Sequence, residues 1–446
     1  MQSRIKERAL SLLEDLVSFN TVNDPARGIK PSDELPKYIV SWLKLNGITS
    51  KIVESNGYYS VLGFLGPKPP CLGYFAHFDT VPVVRDRWKY DPFKLTVEGN
   101  RAYGRGSFDD KANVVAIMVA LSELAKGPLE CGIVFSFNGD EEMGGSNGAY
   151  IIAQALKSQG LLPKYLVNGD GLDLAPIVRR RKIFTVELTV PSKKRGIRGT
   201  VKRAKFAANY PISQHAHAAY FIGGVDSHPL IAASVLAREN KAYAIGLAGK
   251  FVKSNAIPPE VELEYLIPDP NGNEVEVDEG LTQLLNAVLP LSRAPVKTSI
   301  VSDYGVSITP NYYQLDGNKH KLLIDVRAMA TLSDVEEAFK AVVESIIPEA
   351  KVKVETDPGG CLNTSPRSTL VRATLSAIEE LGNQAAPFEA AGASDSRYFV
   401  PLGVEAIDLG PRGGGVHGDD EYVEVDSLVK LTQIYYKLPK YLCKHC

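Results

Sequence analysis

Hydrophobic positions change period several times along the chain, and the changes predict its elements. Residues 5–19 place Leu10, Leu13, Leu16 and Val17 on one face of an amphipathic helix. A second helix is expected over 32–46; Pro36 suits its first turn, where an amide has no helical partner. Residues 48–54 and 60–63 read as strands, and 71–75 as a short apolar strand running into Ala76-His77-Phe78-Asp79. Residues 112–124 are apolar on most faces, which predicts a buried helix. Residues 131–137 read as a buried strand, 148–157 as a helix and 165–167 as another strand. Strands alternating with helices predict an α/β fold, with a mixed, mostly parallel sheet flanked by helices.

The pattern changes after Asp170. Strands at 183–190, 321–329 and 352–356 and helices at 229–240 and 333–346 suggest an α+β, ferredoxin-like sandwich inserted into the first domain. The α/β pattern resumes with a helix at 368–381 and a strand at 404–409. The expected organisation is a discontinuous catalytic domain, 1–180 and 357–446, with a lid-like domain at 181–356 between its halves. The basic run 193–205 (Lys193, Lys194, Arg195, Arg198, Lys202, Arg203, Lys205) reads as a solvated loop rather than a nucleic-acid patch. Residues 251–299 read as an insertion in the small domain.

Composition narrows the class. With 446 residues, 44% hydrophobic and 23% charged, the chain has the balance of a soluble globular protein of two or three domains. A net charge of −2 points to neither nucleic acid nor a membrane surface. The first fifteen residues are charged and lack an apolar signal core, so a cytoplasmic protein is expected. Five cysteines are too few for a disulfide scaffold of this length. Cys71 and Cys131, in apolar runs, are expected as buried thiols, and the terminal Cys443 and Cys446 as a local disulfide or a disordered end.

Ligand-type residues gather at strand ends and in glycine-rich loops. Glu141 and Glu142 follow the apolar run 131–137; carboxylates in such a place cost desolvation energy unless a cation compensates. His77 and Asp79 lie two apart in an extended segment, so both can face one site, or Asp79 can fix the imidazole's tautomer. Asp109 and Asp110 follow Gly104-Arg105-Gly106-Ser107-Phe108 and precede a helix. Asp170 ends the next strand in Asn168-Gly169-Asp170-Gly171, and His417 follows Gly413-Gly414-Gly415. Each alone is explained by a turn, a cap or an ordinary loop. Together they supply imidazoles and carboxylates without thiolate, a donor set for zinc, cobalt or manganese. An open α/β sheet puts such loops at one site. Five ligands with a bridging carboxylate would hold two ions beside a free carboxylate that takes a proton from water.

These motifs, in this order, resemble the di-zinc amidohydrolase and peptidase family of aminoacylase, acetylornithine deacetylase, succinyl-diaminopimelate desuccinylase, carboxypeptidase G and carnosinase. The likeness covers nearly the whole chain. It implies a zinc-exopeptidase-like catalytic fold with a lid that also dimerises. It implies His77 and Asp170 as ligands of one metal, Glu142 and His417 of the other, and Asp109 as the bridge, with a cis peptide to Asp110. It further implies Glu141 as general base and Asp79 as the residue orienting His77. Residues Gln214-His215-Ala216-His217-Ala218 resemble the motif whose histidine enters a partner subunit's site; His217 is the assignment and His215 the rival. Arg327 resembles the arginine that grips a substrate carboxylate, and Asn311 its neighbouring asparagine. Gly392 to Arg397 resembles the glycine-rich substrate loop. Ala112 and Tyr312 depart from the family pattern, and Tyr312 weakens the match at Asn311. Asp170, rather than glutamate, leans toward the dipeptidases. The expectation is a homodimeric hydrolase of amide bonds in N-acyl amino acids or short peptides. The rival of another class, a non-catalytic metal-binding homologue, is opposed by the intact Glu141 and ligand set.

Overall fold

The helix Lys111–Leu124 is buried at every position from 111 to 122. A helix apolar on all sides must be covered on all sides. Here Gln2–Ser18, Val425–Leu442 and the strand Pro70–His77 cover it. The computed structural model describes residues 2–211, 217–298 and 305–446. The chain divides into two units, Met1–Arg180 with Gly359–Cys446, and Arg181–Pro358.

The first unit is built on a nine-stranded sheet. Its centre is four neighbouring parallel strands, in the order Gly132–Asn138, Pro70–His77, Tyr165–Asn168 and Glu405–Asp408. Antiparallel strands, Thr49–Ser55 and Tyr58–Leu65, extend one side. The parallel strands are buried along almost their whole length, which is why they read as continuous apolar runs. Their carboxyl ends lie along one edge of the sheet, and the chain leaves them toward Glu141, Asp79, Asp170 and His417. A small four-stranded sheet pairs Tyr422–Glu424 with Arg101–Tyr103 and so brings the loop containing His417 beside the glycine-rich turn before Asp109.

Two expectations about cysteine need correction. Cys71 is bonded to Cys446 and Cys131 to Cys443, so neither pair is a buried thiol or a local terminal bridge. Pro70 and Gly132 face each other in the sheet, so Cys71 and Cys131 start two adjacent strands. The terminal pair, three residues apart after the helix Val425–Leu442, meets both. Sequence spacing could not show this, because the partners are 375 and 312 residues apart.

The inserted unit is α+β and larger than one sandwich. One antiparallel sheet joins Ser307–Asp316, Lys319–Ala328, Lys182–Pro191 and Lys351–Thr356. A second joins Tyr243–Gly249, Glu260–Pro268, Lys194–Ala207 and Asn273–Asp278. The basic run is therefore a strand, not a loop, and the supposed insertion supplies its neighbours. Its cations pair with carboxylates of neighbouring elements, Arg203 with Glu264 at 2.9 Å, Lys205 with Glu260 at 2.7 Å and Arg195 with Glu279 at 2.8 Å. Consecutive charges hid the strand's period, and the partners that stabilise it lie some 55–85 residues away (about two elements) in sequence. Among the described residues no helix is long and apolar enough to cross a membrane.

Asp278 caps the helix Glu279–Leu291 by accepting from the Leu281 amide at 3.0 Å, and it also accepts from Ser192 Oγ at 2.6 Å. Burial pushes its carboxyl up, but these hydrogen bonds and the pull of His320 outweigh burial and hold it down at about 2. A value below the ordinary 3.8 means that stabilisation is present above about pH 4 and is lost as pH falls toward 2. Asp278→Asn should therefore cost about 1–2 kcal/mol in denaturant unfolding at neutral pH. The gap from the unsubstituted protein should close as the pH is lowered through this window.

Candidate metal centre

His77 is the last residue of its strand, and the chain then turns so that Phe78 enters the core and Asp79 loses all solvent contact. The Asp79 carboxylate accepts hydrogen bonds from the amides of Glu141 at 3.1 Å and Glu142 at 3.2 Å and from Asn23 Nδ2 at 2.8 Å. Its Oδ1 lies 3.4 Å from His77 Nδ1, whose other neighbour is the Asp79 carbonyl at 3.2 Å. Asp79 thus ties the Glu141–Met143 turn to the end of the His77 strand. With Nδ1 engaged there, Nε2 is the nitrogen left to face Asp109.

Asp109 is presented by a turn in which Gly106 has a φ of +79°, a conformation that L side chains rarely adopt. The Asp109–Asp110 peptide is cis. Asp109 Oδ1 lies 3.0 Å from His77 Nε2, and Oδ2 lies 3.1 Å from His417 Nε2. The same nitrogen of His417 lies 3.1 Å from Glu142 Oε2. Donor atoms of Asp109, Glu142 and His417 all lie within 4.8 Å of one another. Asp110 points the other way, accepting from the His77 amide at 3.2 Å and from Asn113 Nδ2 at 2.6 Å. A Cβ at Gly169 would stand 2.3 Å from Asp110 Oδ2, so only glycine lets the Asp170 loop pass there. Asp170 and His417 both have a φ of 57°, in the left-handed region that costs a non-glycine residue about 1 kcal/mol or more. Of these two strained backbones, His417 belongs to the group with Asp109 and Glu142, and Asp170 acts on Glu141 through its charge.

The electrostatics follow from crowding carboxylates away from water. Burial, reinforced by the charge of Asp170, pushes the Glu141 carboxyl well up. Burial also raises Asp170, against the pull of Arg180, and raises Glu142 against that of His417. Burial lifts Asp110 to about 7. Burial works against protonating His77 and His417, yet Asp109 with Asp79, and Glu142 with Asp109, outweigh it and raise both imidazoles. The neighbouring acids thus favour protons on both imidazoles. Divalent ions would replace those protons and relieve the remaining acids, so this donor set fits metal. His417 is about half exposed, at 49%, so within this unit the cluster opens to solvent on that side.

The other expected residues fall in two places. In the first unit, the Gly392 carbonyl accepts from Arg180 Nη1 at 3.0 Å, and Arg397 Nη2 donates to the Gly144 carbonyl at 2.6 Å. Arg397 therefore braces the turn carrying Glu141 and Glu142. In the inserted unit, Arg327 makes a two-pronged bond with Asp325, at 2.8 and 3.0 Å. Asn311 has no solvent contact; its carboxamide meets His228 Nε2 at 3.1 Å and donates to Thr309 Oγ1 at 3.0 Å. His217 Nδ1 accepts from the Ala219 amide at 3.1 Å, and His215 lies outside the described residues. Sequence reasoning passed over Asn23, Arg105 and Glu421. Glu421 closes the motif that begins at Val416 but takes no role of its own there; its burial sets it apart from Asp419 and Asp420.

Comparison with known proteins identifies the family. Residues 73–441 match the model of peptidase family M20/M25/M40. A succinyl-diaminopimelate desuccinylase of Herminiimonas arsenicoxydans is 24% identical over 446 aligned residues, covering 96% of this chain and 97% of the relative. The crystal structure of aminoacylhistidine dipeptidase from Vibrio alginolyticus superposes with a TM-score of 0.71 at 16% identity, covering 98% of this chain and 96% of that one. A dinuclear metal binding peptidase of the M20 family from Bacillus subtilis superposes with a TM-score of 0.56 at 14% identity, covering 100% of both chains. The chain belongs to peptidase family M20/M25/M40 and is a metallohydrolase of amide and peptide bonds.

Proposed function

We propose that the protein is a two-metal hydrolase that cleaves the amide bond of an N-acyl amino acid, with a succinylated or acetylated amino acid as the first class to test. The observation that carries this reading is Asp109, which faces His77 with one oxygen and His417 with the other. His77 and Asp170 would hold one ion, Glu142 and His417 the second, with Asp109 shared; zinc is the first choice, cobalt or manganese the alternatives. When bound, the two ions acidify a water molecule and polarise the substrate carbonyl. Glu141 takes a proton from the attacking water and returns it to the amine nitrogen as the carbon–nitrogen bond breaks. Asp79 keeps His77 and the Glu141 turn in register through the bonds described above. Arg327 is assigned to the substrate carboxylate, with Asn311, Gly392 and Arg397 supporting the substrate region.

The desuccinylase relatives, similar along nearly their full length, favour a deacylase. A dipeptidase is the second reading, favoured by aspartate at position 170 and by the dipeptidase fold neighbour. We read the protein as a homodimer without nucleic-acid or membrane partners, in which one copy lends His217 to the other to steady the tetrahedral oxyanion. We place it in the cytoplasm. Its two disulfides then suit a cytoplasm that tolerates them, as those of hyperthermophiles do.

Glu141→Gln should lower kcat by about 10²–10⁴-fold while metal content, measured by elemental analysis, stays at the unsubstituted level. Robust turnover by that variant would refute the assigned role. Chelation should abolish activity and added zinc or cobalt should restore it. The reconstituted protein should then release succinate or acetate from acylated amino acids faster than amino acids from dipeptides; the reverse ranking selects the dipeptidase. His217→Ala and Glu141→Gln subunits, each inactive alone, should regain about a quarter of wild-type activity when mixed and allowed to exchange. No recovery in proven mixed dimers would remove His217 from the neighbouring site.

A further inference from the structure

Glu421 has no accessible surface, and the catalytic roles above leave it without a task. Its Oε1 accepts hydrogen bonds from the amides of Phe108 and Asp109, each at 2.9 Å. Its Oε2 accepts from the Gly106 amide at 3.0 Å and from Arg105 Nη1 at 2.6 Å. Arg105 in turn donates from Nη2 to the Gly418 carbonyl at 2.8 Å, one residue beyond His417. One carboxylate therefore fastens the turn that presents Asp109 to the loop that presents His417. Beyond this fastening, Tyr422–Glu424 pairs in register with Arg101–Tyr103, so the two arms cannot slide past each other. A carboxylate that only caps a turn or helix typically serves one or two amides. This one is fully buried, takes three amides and a guanidinium, and such charge-assisted bonds are the strong ones. The arms it joins meet where Asp109 Oδ2 and His417 Nε2 stand 3.1 Å apart.

We infer that Glu421 is a positioning residue that sets the spacing of Asp109 and His417, and with it the affinity of the metal position that these two complete with Glu142. The inference rests on the two-metal reading above. Asp109 serves both ions, but the clamp spans only the arms that meet at the second position. Loosening it should weaken the second ion far more than the first.

The test is a titration of the metal-free full-length protein with zinc against a chromophoric chelator, and with cobalt followed by its visible spectrum. The unsubstituted protein should bind two equivalents. Glu421→Gln should bind the first with affinity within about 2-fold and the second about 10–100-fold more weakly, with an altered cobalt spectrum for that equivalent. Amide hydrogen exchange at Phe108 and Asp109 should quicken in the metal-free variant. Ser107→Ala removes the 3.3 Å bond from Ser107 Oγ to the Glu421 carbonyl without touching the carboxylate, and should leave both equivalents unchanged. Should Glu421→Gln fail to fold, Arg105→Lys carries the same expectation, because it weakens the same clamp and keeps the charge. An unsubstituted protein that binds fewer than two ions overturns the two-metal reading and this inference together. Two ions in the unsubstituted protein and unchanged affinities in the folded variant overturn this inference alone. Equal weakening of both equivalents, or the same loss in Ser107→Ala, also overturns it, since either shows general loosening rather than a clamp on one position.

Discussion

Asp109 shows one oxygen to His77 and the other to His417, while the charges of Glu141, Glu142 and Asp170 act on the same partly buried cluster. Carboxylates in such a place repel one another and lose hydration, so the arrangement persists only with compensating positive charge. Two imidazoles supply part of it, and divalent ions would supply more. The demand for cations connects the local strain at Asp170 and His417, the glycine that lets the Asp170 loop pass Asp110, and the buried anchors beneath the site. In the proposed mechanism the ions that would satisfy the acids are also the ones that would make water acidic enough for Glu141 to deprotonate.

The scaffold meets this demand through topology. Four parallel strands end on one edge, and each exit loop contributes acids or imidazoles from a different part of the chain. The loops are then tied to one another rather than left to the metal. Asp79 holds the Glu141 turn, Arg397 braces the same turn through Gly144, and Glu421 joins the Asp109 and His417 arms. Such supporting bonds keep donors in place when no ion is bound, which lowers the ordering cost of binding one. At the opposite ends of two of these strands, disulfides fasten the C-terminal helix to the sheet.

Much of the site was legible in the sequence because its residues stand in short, chemically specific motifs. Adjacent glutamates after an apolar run, an aspartate pair after Gly104 to Phe108, and a histidine after three glycines each carry their own local signal. Residues with structural duties at the same site carry none. Glu421 closes the His417 motif and Arg105 lies in a glycine-rich lead-in, neither with an assigned role, and Asn23 lies in no motif; burial and partners more than 50 residues away reveal their duties. Arg397, expected in the substrate loop, also braces Gly144.

The order of the strands and helices, the discontinuous α/β domain and the donor set were determined by the chain itself, because period, turn chemistry and residue type act over a few positions. The second sheet of the inserted unit, the pairing of Cys71 with Cys446 and Cys131 with Cys443, and the Glu421 clamp were decided only in three dimensions. Each of those depends on contacts between segments tens to hundreds of residues apart, and no local pattern encodes which distant partner a buried acid, a thiol or an unpaired strand will meet.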